Sequence, residues 1–239
     1  MPEYQRQIQL FSYVLRIDNG AAPNPFWGQC TLTICKPKIR KKAEIGDWVI
    51  GTGSARVQLK DGGRKNYADY LVYAMKVTNK KSLRDYDTYC KTELLKKIPK
   101  YYNGVDYRLR MGDCIYDYSK GLNPIQRASV HKAKNIKTDL SGNNALLSNH
   151  FYYFGDNPII IPNELREIIK KNQGHKKIKN EILVDKFVRW ISGYKKNKLY
   201  GKPQLKYKFE IMADNDICNL CSTKHLKDDI NNIEEEILK

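Results

Sequence analysis

Between Asn24 and Gly53 the chain sets two β-forming runs, Cys30-Thr-Leu-Thr-Ile-Cys35 and Trp48-Val-Ile-Gly-Thr-Gly53, on either side of a cationic corner. Proline cannot donate to a strand ladder, so Lys36-Pro37 must end the first run. Gly46-Asp47 supplies the turn chemistry that starts the second. The piece between them, Ile39 to Ala43, is long enough for one helical turn. Local topology is thereby constrained to strand, short basic helix, turn and strand. Cys35 is left at a strand end beside Lys36, Lys38, Arg40, Lys41 and Lys42. Upstream, Asn24-Pro-Phe-Trp-Gly28 adds two aromatics to a turn, and Gly51 and Gly53 predict a bulge or a close backbone approach. So much specialised chemistry in thirty residues marks a candidate site.

The rest of the first half continues the β pattern. Ile8 to Ile17 reads as a central strand closed by Asp18-Asn19-Gly20, and Leu71 to Thr78 as a fourth strand. Ser82 is a candidate N-cap for a helix reaching towards Ile98, stopped by Pro99. From Lys100 to Gly142 periodicity is poor, which predicts a long functional loop. Ala145 to Gly155 resumes β character. Helices are expected over Asn163 to Lys171 and Glu181 to Ser192, with a cationic hinge between them. A short strand at Tyr207 to Met212 and a helix from Leu226 to Leu238 finish the chain.

With 239 residues, of which 41% are hydrophobic, the chain can bury one large domain, alone or with an appendage. Forty-three Lys and Arg against 26 Asp and Glu give a formal charge of +17. That charge favours a polyanionic partner, with nucleic acid first, although a basic surface can also simply be solvated. No run of about 18 apolar residues exists to span a bilayer, and the N-terminus lacks a secretory pattern. A cytoplasmic protein with no membrane partner is expected. The six cysteines are too sparse for a disulfide scaffold and read as thiols.

The order of elements from Ala43 to Ser54, together with Tyr70 to Thr78, resembles the core of the PUA-like superfamily, which includes the EVE, YTH and ASCH domains. A closer resemblance uses more residues. Tyr13-Val-Leu-Arg16, Gly20 to Gly28, Cys30-Thr-Leu32, Cys35-Lys-Pro-Lys-Ile-Arg40, Gly46-Asp-Trp-Val49, Gly112-Asp-Cys-Ile-Tyr116, Phe151-Tyr-Tyr-Phe-Gly155 and Gln173-Gly-His175 are together similar to the nucleotide modification associated domain 2 family. These resemblances imply an α+β fold with a PUA-like mixed β-barrel or sheet core and flanking helices over residues 1–178. A helical C-terminal segment, residues 179–239, is expected to pack on it. They also imply a DNA base modification or defence context.

A protein that inspects a base in duplex DNA must extrude it, replace the lost stacking and read the base edge. Asn24, Phe26, Trp27, Trp48, Thr52, Tyr153 and Gln173 are the candidates for such a pocket, with Tyr152 and Phe154 as further stacking faces. The competing reading of strand aromatics is core packing. Lys36, Lys38, Arg40, Lys41 and Lys176 are candidate phosphate contacts. Cys35, His175 and Asp47 are the candidate catalytic groups. Neighbouring cations favour a thiolate at Cys35, and the field of two lysines favours a neutral, proton-accepting His175. Asp18, Asp113, Tyr116 and His131 are the other acid–base candidates, and a buried strand cysteine is the alternative for Cys35.

Cys218, Cys221 and His225 have the spacing of half a zinc site with no fourth ligand nearby, so no cofactor is expected and a structural zinc is the weaker option. Phosphate-loop, dinucleotide-fold, serine-elbow and His-Glu-x-x-His patterns are missing from the sequence, which sets aside those enzyme classes. Three functions follow. The first is a nucleic-acid-binding protein, DNA ahead of RNA, that holds a modified base. The second is an enzyme acting on a DNA base or nucleotide through Cys35 or His175. The third is a basic protein-interaction scaffold.

Overall fold

The β-branched and aromatic runs form strands, although the run Cys30 to Cys35 keeps only Cys30–Leu32 as strand before the chain bends. In the computed structural model, which describes residues 6–58, 63–102, 104–172 and 174–205, the elements are as follows. The first half contains β1 (Leu10–Val14), β2 (Cys30–Leu32), α1 (Pro37–Lys42), β3 (Trp48–Thr52), the pair β4 (Val57–Gln58) and β5 (Arg64–Lys65), β6 (Tyr70–Lys76), β7 (Asn79–Ser82) and α2 (Leu83–Thr92). The second contains α3 (Tyr107–Arg110), the pair β8 (Tyr116–Asp117) and β9 (Ile125–Gln126), α4 (Ile136–Ser141), β10 (Asn144–Ser148), β11 (Phe151–Tyr153), β12 (Ile159–Ile160), β13 (His175–Ile178), α5 (Glu181–Ile191) and β14 (Lys198–Leu199).

The main sheet runs β13-β1-β3-β6-β11-β14, with β12 also on β6. β1 and β3 are parallel, as are β11 and β14, and the other pairs are antiparallel. A second sheet, β2-β10-β7, is antiparallel throughout. The fold is mixed α+β, a sheet core with flanking helices. It is not a barrel: the main sheet is open, with β13 at one edge and β14 at the other.

Alternation along the strands of the main sheet divides the core. One face puts Phe11, Tyr13, Val49, Val72, Tyr73, Met75 and Tyr153 with β2, Cys35 and Ile39. The other puts Leu10, Trp48, Ile50, Ala74, Tyr152 and Phe154 under Leu183, Val184, Phe187 and Ile191 of α5. Each large side chain buried this way contributes about 1.5–3 kcal/mol, so the sandwich of α5, sheet and second sheet is the main apolar support. Asn180 caps α5 by accepting from Leu183 N at 3.1 Å, and Ser82 caps α2 by accepting from Asp85 N at 3.0 Å.

Three expectations change. The cationic hinge is a strand, β13, because its backbone finds the free edge of β1. The segment Asn163–Ile168 is a 3-10 helix. The region from Lys100 to Gly142 is not one loop, since it contains α3, the β8–β9 pair and α4. The expected strand at Tyr207 to Met212 and helix at Leu226 to Leu238 lie outside the described residues. No helix among the described residues is long and apolar enough to cross a membrane.

Candidate active site

Cys35 lies at a sharp bend between β2 and α1. Its φ is 58°, and that of Lys36 is 43°, so two consecutive non-glycine residues occupy the left-handed region. Each costs of order 1–3 kcal/mol and persists only where the surroundings over-determine it. Here both sides of Cys35 are fixed. Its amide donates to Asp139 Oδ1 at 2.9 Å, and its carbonyl accepts from Arg40 Nε at 2.7 Å. Strand, strained cysteine and helix is an arrangement able to present a side chain at a turn.

The thiol points at an imidazole. Cys35 Sγ is 3.4 Å from His131 Nε2, and His131 Nδ1 is 2.6 Å from Asp139 Oδ2. Tyr116 donates its hydroxyl to the same carboxylate oxygen at 2.9 Å. His131 precedes a short 3-10 turn and Asp139 sits in α4, so residues nearly a hundred positions apart converge. Cys35, His131 and Asp139 are 1%, 3% and 1% exposed, so bulk water is excluded from the relay. Burial alone would raise the Asp139 pKa, but the charge and hydrogen bond of His131, the Arg40 guanidinium and the Cys35 amide outweigh it and hold the carboxyl below its ordinary range. When the ring is neutral, a carboxylate at Nδ1 selects the tautomer with its proton there and leaves Nε2 to accept from the thiol; once that proton has moved, the carboxylate faces the charged ring.

The ligand atoms of these residues all lie within 4.8 Å of one another, the composition of a possible metal site. The order along the cluster argues for a relay instead. Asp139 and Cys35 face opposite nitrogens of one ring, whereas a chelated ion would need both on the side of a single coordinating nitrogen.

The other residues singled out in the sequence are dispersed. His175 is on β13 at the edge of the main sheet, its ring centroid 6.2 Å from that of Phe11. Asp47 is buried and organises its own corner, accepting from Arg6 at 2.8 Å and from the amides of Gln9 and Glu44 at 2.9 Å each. Trp48 stacks on Tyr152 in the layer under α5, while Phe26 and Tyr153 belong to the opposite face. Thr52 is buried, with its hydroxyl donating to Tyr13 O at 3.3 Å. Trp27 packs its ring against Lys96 and Arg108, 4.8 and 4.6 Å from its centroid.

Asn24 is buried in a second polar centre with Lys97, whose ammonium lies 2.8–2.9 Å from Asn24 O, Asn24 Oδ1, Gln29 O and Thr31 Oγ1. Asp113 accepts there from Thr31 and Tyr86 at 2.6 and 2.8 Å. Of the proposed phosphate contacts, Arg40 is completely buried and turned inward onto three carbonyls. Lys36 lies over the Tyr13 ring at 5.0 Å, and Lys176 donates to Glu167 O at 2.6 Å. Lys38 is half-buried and Lys41 exposed. Gln173, Cys218, Cys221 and His225 lie outside the described residues. Asp18 is buried and accepts from Tyr153. A cleft of about 500 Å³ is lined by Phe26, Tyr107, Arg108 and Tyr200 among others, and no relay residue lines it.

Sequence reasoning named Cys35, His131 and Tyr116 but did not join them, and it missed Asp139. No spacing signals an eight-residue His-to-Asp separation. The one available hint was that His131 falls in an aperiodic stretch.

No curated protein and no solved structure matches this sequence. A family model does match, over residues 7–212, a span that takes in β1 to β14 and every residue of the relay. The chain belongs to the nucleotide modification associated domain 2 family.

Proposed function

We propose that the protein is a thiol-dependent enzyme of a nucleotide-modification context, with Cys35 as nucleophile, His131 as general base and acid, and Asp139 as the group that orients and charges His131. The in-line Cys35–His131–Asp139 geometry at a strained strand–helix bend carries this reading. It favours an enzyme over a protein that only holds a base, since the aromatics expected to form a stacking pocket are divided between the two faces of the sheet. The +17 charge supports a nucleotide or nucleic acid as the molecule that bears the reacting group.

The chemistry that suits such a relay is acyl transfer at an amide or ester, such as an acylated exocyclic amine of a base. His131 Nε2 takes the thiol proton, and the Cys35 sulfur forms a bond to the carbonyl carbon. The bond to the leaving nitrogen or oxygen breaks as His131 returns the proton to it. Water or an acceptor amine then attacks the thioester, releasing the acyl group and restoring the thiol. The Cys35 amide already donates to Asp139, so donors to the developing oxyanion must come from elsewhere.

The test incubates the full chain with DNA oligonucleotides carrying cytosine or N4-acetylcytosine and follows the mass of both oligonucleotide and protein. Loss of the acetyl group, or an acetylated Cys35, abolished in Cys35→Ser and in His131→Ala, is the expected result. Unchanged masses together with tight binding that is indifferent to both substitutions would overturn it in favour of a reader.

A further inference from the structure

Arg40 occupies the point where the segments carrying the relay meet. Its Nε donates to the Cys35 carbonyl at 2.7 Å, and its two terminal nitrogens donate to the carbonyls of Asp139 at 2.5 Å and Asn144 at 2.7 Å. Two of these carbonyls belong to the nucleophile and to the residue that orients the base. They come from α1's leading bend and from α4, elements separated by about a hundred residues. A guanidinium is planar, permanently charged and rigid in the directions of its donors, so one fork fixes the spacing of both segments. An apolar side chain or a lysine could not do this.

The slot that receives it is also particular. A Cβ added to Gly142, which follows α4, would lie 2.5 Å from the guanidinium carbon and 2.6 Å from both terminal nitrogens. Gly142 has an ordinary helical φ of −76°, so its absence of a side chain serves space and not conformation. A buried cation carries a desolvation cost that a purely structural position avoids by being apolar. Here the cation stands close enough to bear on Asp139 and Tyr116.

We propose that Arg40 is a positioning residue of the Cys35–His131–Asp139 relay, which locks the Cys35 bend to α4 through two backbone carbonyls and keeps a fixed positive charge inside the site. This rests on Cys35 being the nucleophile. Arg40 is thereby assigned to the interior machinery and not to the phosphate-facing surface.

The experiment follows alkylation of Cys35 by iodoacetamide from pH 5 to 10, read by peptide mass, in the wild type, Arg40→Lys and Gly142→Ala, with circular dichroism melting of each. Arg40→Lys keeps the charge and loses the fork. It should remain folded, react at least about 10-fold more slowly at neutral pH and shift the midpoint of its profile upward. Gly142→Ala presses first on the guanidinium, whose three atoms are the nearest to the added Cβ, so it should move the rate the same way by about 3-fold. Folded variants with the wild-type rate and profile would overturn the proposal.

A measurement on the unaltered protein decides the matter should either variant not fold. The Arg40 Nε–H, observed by 15N NMR, should be protected from exchange and should shift when Cys35 is alkylated. An exchanging, unshifted signal overturns the positioning role. A wild-type Cys35 that stays inert up to pH 10, while the denatured chain reacts, instead removes the nucleophile itself.

Discussion

Two buried polar centres flank the β2 segment, and they differ in kind. Around Lys97 the ammonium faces four oxygens, and Asp113 accepts from Thr31 and Tyr86, a closed set in which each group is held by several others. Burial pushes the Lys97 pKa down and the Asp113 pKa up, each restrained by the charge of the other. Around Asp139 one carboxylate oxygen accepts from the Cys35 amide, and the other leads through His131 to the Cys35 thiol at the looser distance of 3.4 Å. The first centre joins the 24–31 corner to the 97–113 region. The second has a direction, from a carboxylate through an imidazole to a thiol, the proposed nucleophile. Burial and perturbed ionisation are common to both, so neither marks a reactive site. Order along the hydrogen bonds is what the proposed mechanism rests on.

Several substitutions would break that contrast. The largest effect is expected for Cys35→Ser, which should lower turnover on an acylated substrate by about 1,000-fold or more while changing the denaturant midpoint little, because one buried atom is exchanged for a smaller one. Lys97→Met should do the reverse. It leaves the Asp113 carboxyl without its cation and should cost about 3–5 kcal/mol in urea unfolding, with Cys35 alkylation per folded molecule unchanged. A loss of alkylation in folded Lys97→Met would show that the two centres are one.

The pH dependence of stability separates two carboxyls of opposite behaviour. Asp18 is pushed up to about 6, first by burial, against hydrogen bonds from Tyr153 and the Gln204 amide. An acid with a raised folded pKa gives its full contribution below the unfolded value of about 3.9 and loses it as pH rises through about 6. The wild type should therefore lose up to about 3 kcal/mol relative to Asp18→Asn across that window, measured as the difference of the two unfolding curves. Asp139, held below its ordinary range, has the other sign: its contribution is present above the unfolded value and disappears as pH falls through the folded one. A wild type that gained stability over Asp139→Asn as pH fell below 4 would contradict the assigned ionised state.

The smallest effect concerns Tyr116. Removing its hydroxyl in Tyr116→Phe takes one charge-assisted hydrogen bond from Asp139, worth about 1.5–3 kcal/mol in a buried setting. Alkylation at neutral pH should slow by several-fold, less than for Asp139→Asn. Equal losses in the two would mean that the tyrosine, and not the carboxylate alone, sets the tautomer of His131.

Much of the fold is legible locally. The run of Ile8 to Ile17, the stop at Pro37, the turn at Gly46-Asp47 and the capped stripe of Glu181 to Ser192 each carry their own signal, and β1, α1, β3 and α5 stand there. β13 escapes such reading, because His175-Lys-Lys-Ile178 is polar on its own and becomes a strand only against the edge of β1. The same holds for the site. Cys35 is conspicuous from its strand-ending, cation-flanked position, and His131 is visible as a polar residue in an aperiodic stretch. Asp139 looks like any acid on a short helix.

The sequence by itself determined an α+β chain, a bend that must follow Cys35, a basic balance suited to an anionic partner and a resemblance to nucleotide-modification proteins, since period, turn chemistry and charge act over a few residues. Only the tertiary structure decided which imidazole meets the thiol and which arginine is inside. His131 and not His175 approaches Cys35, and Arg40 faces three carbonyls and not solvent. The physical reason is that hydrogen bonding and packing between segments a hundred residues apart depend on the closing of two sheets over one core, and no local pattern encodes that distance.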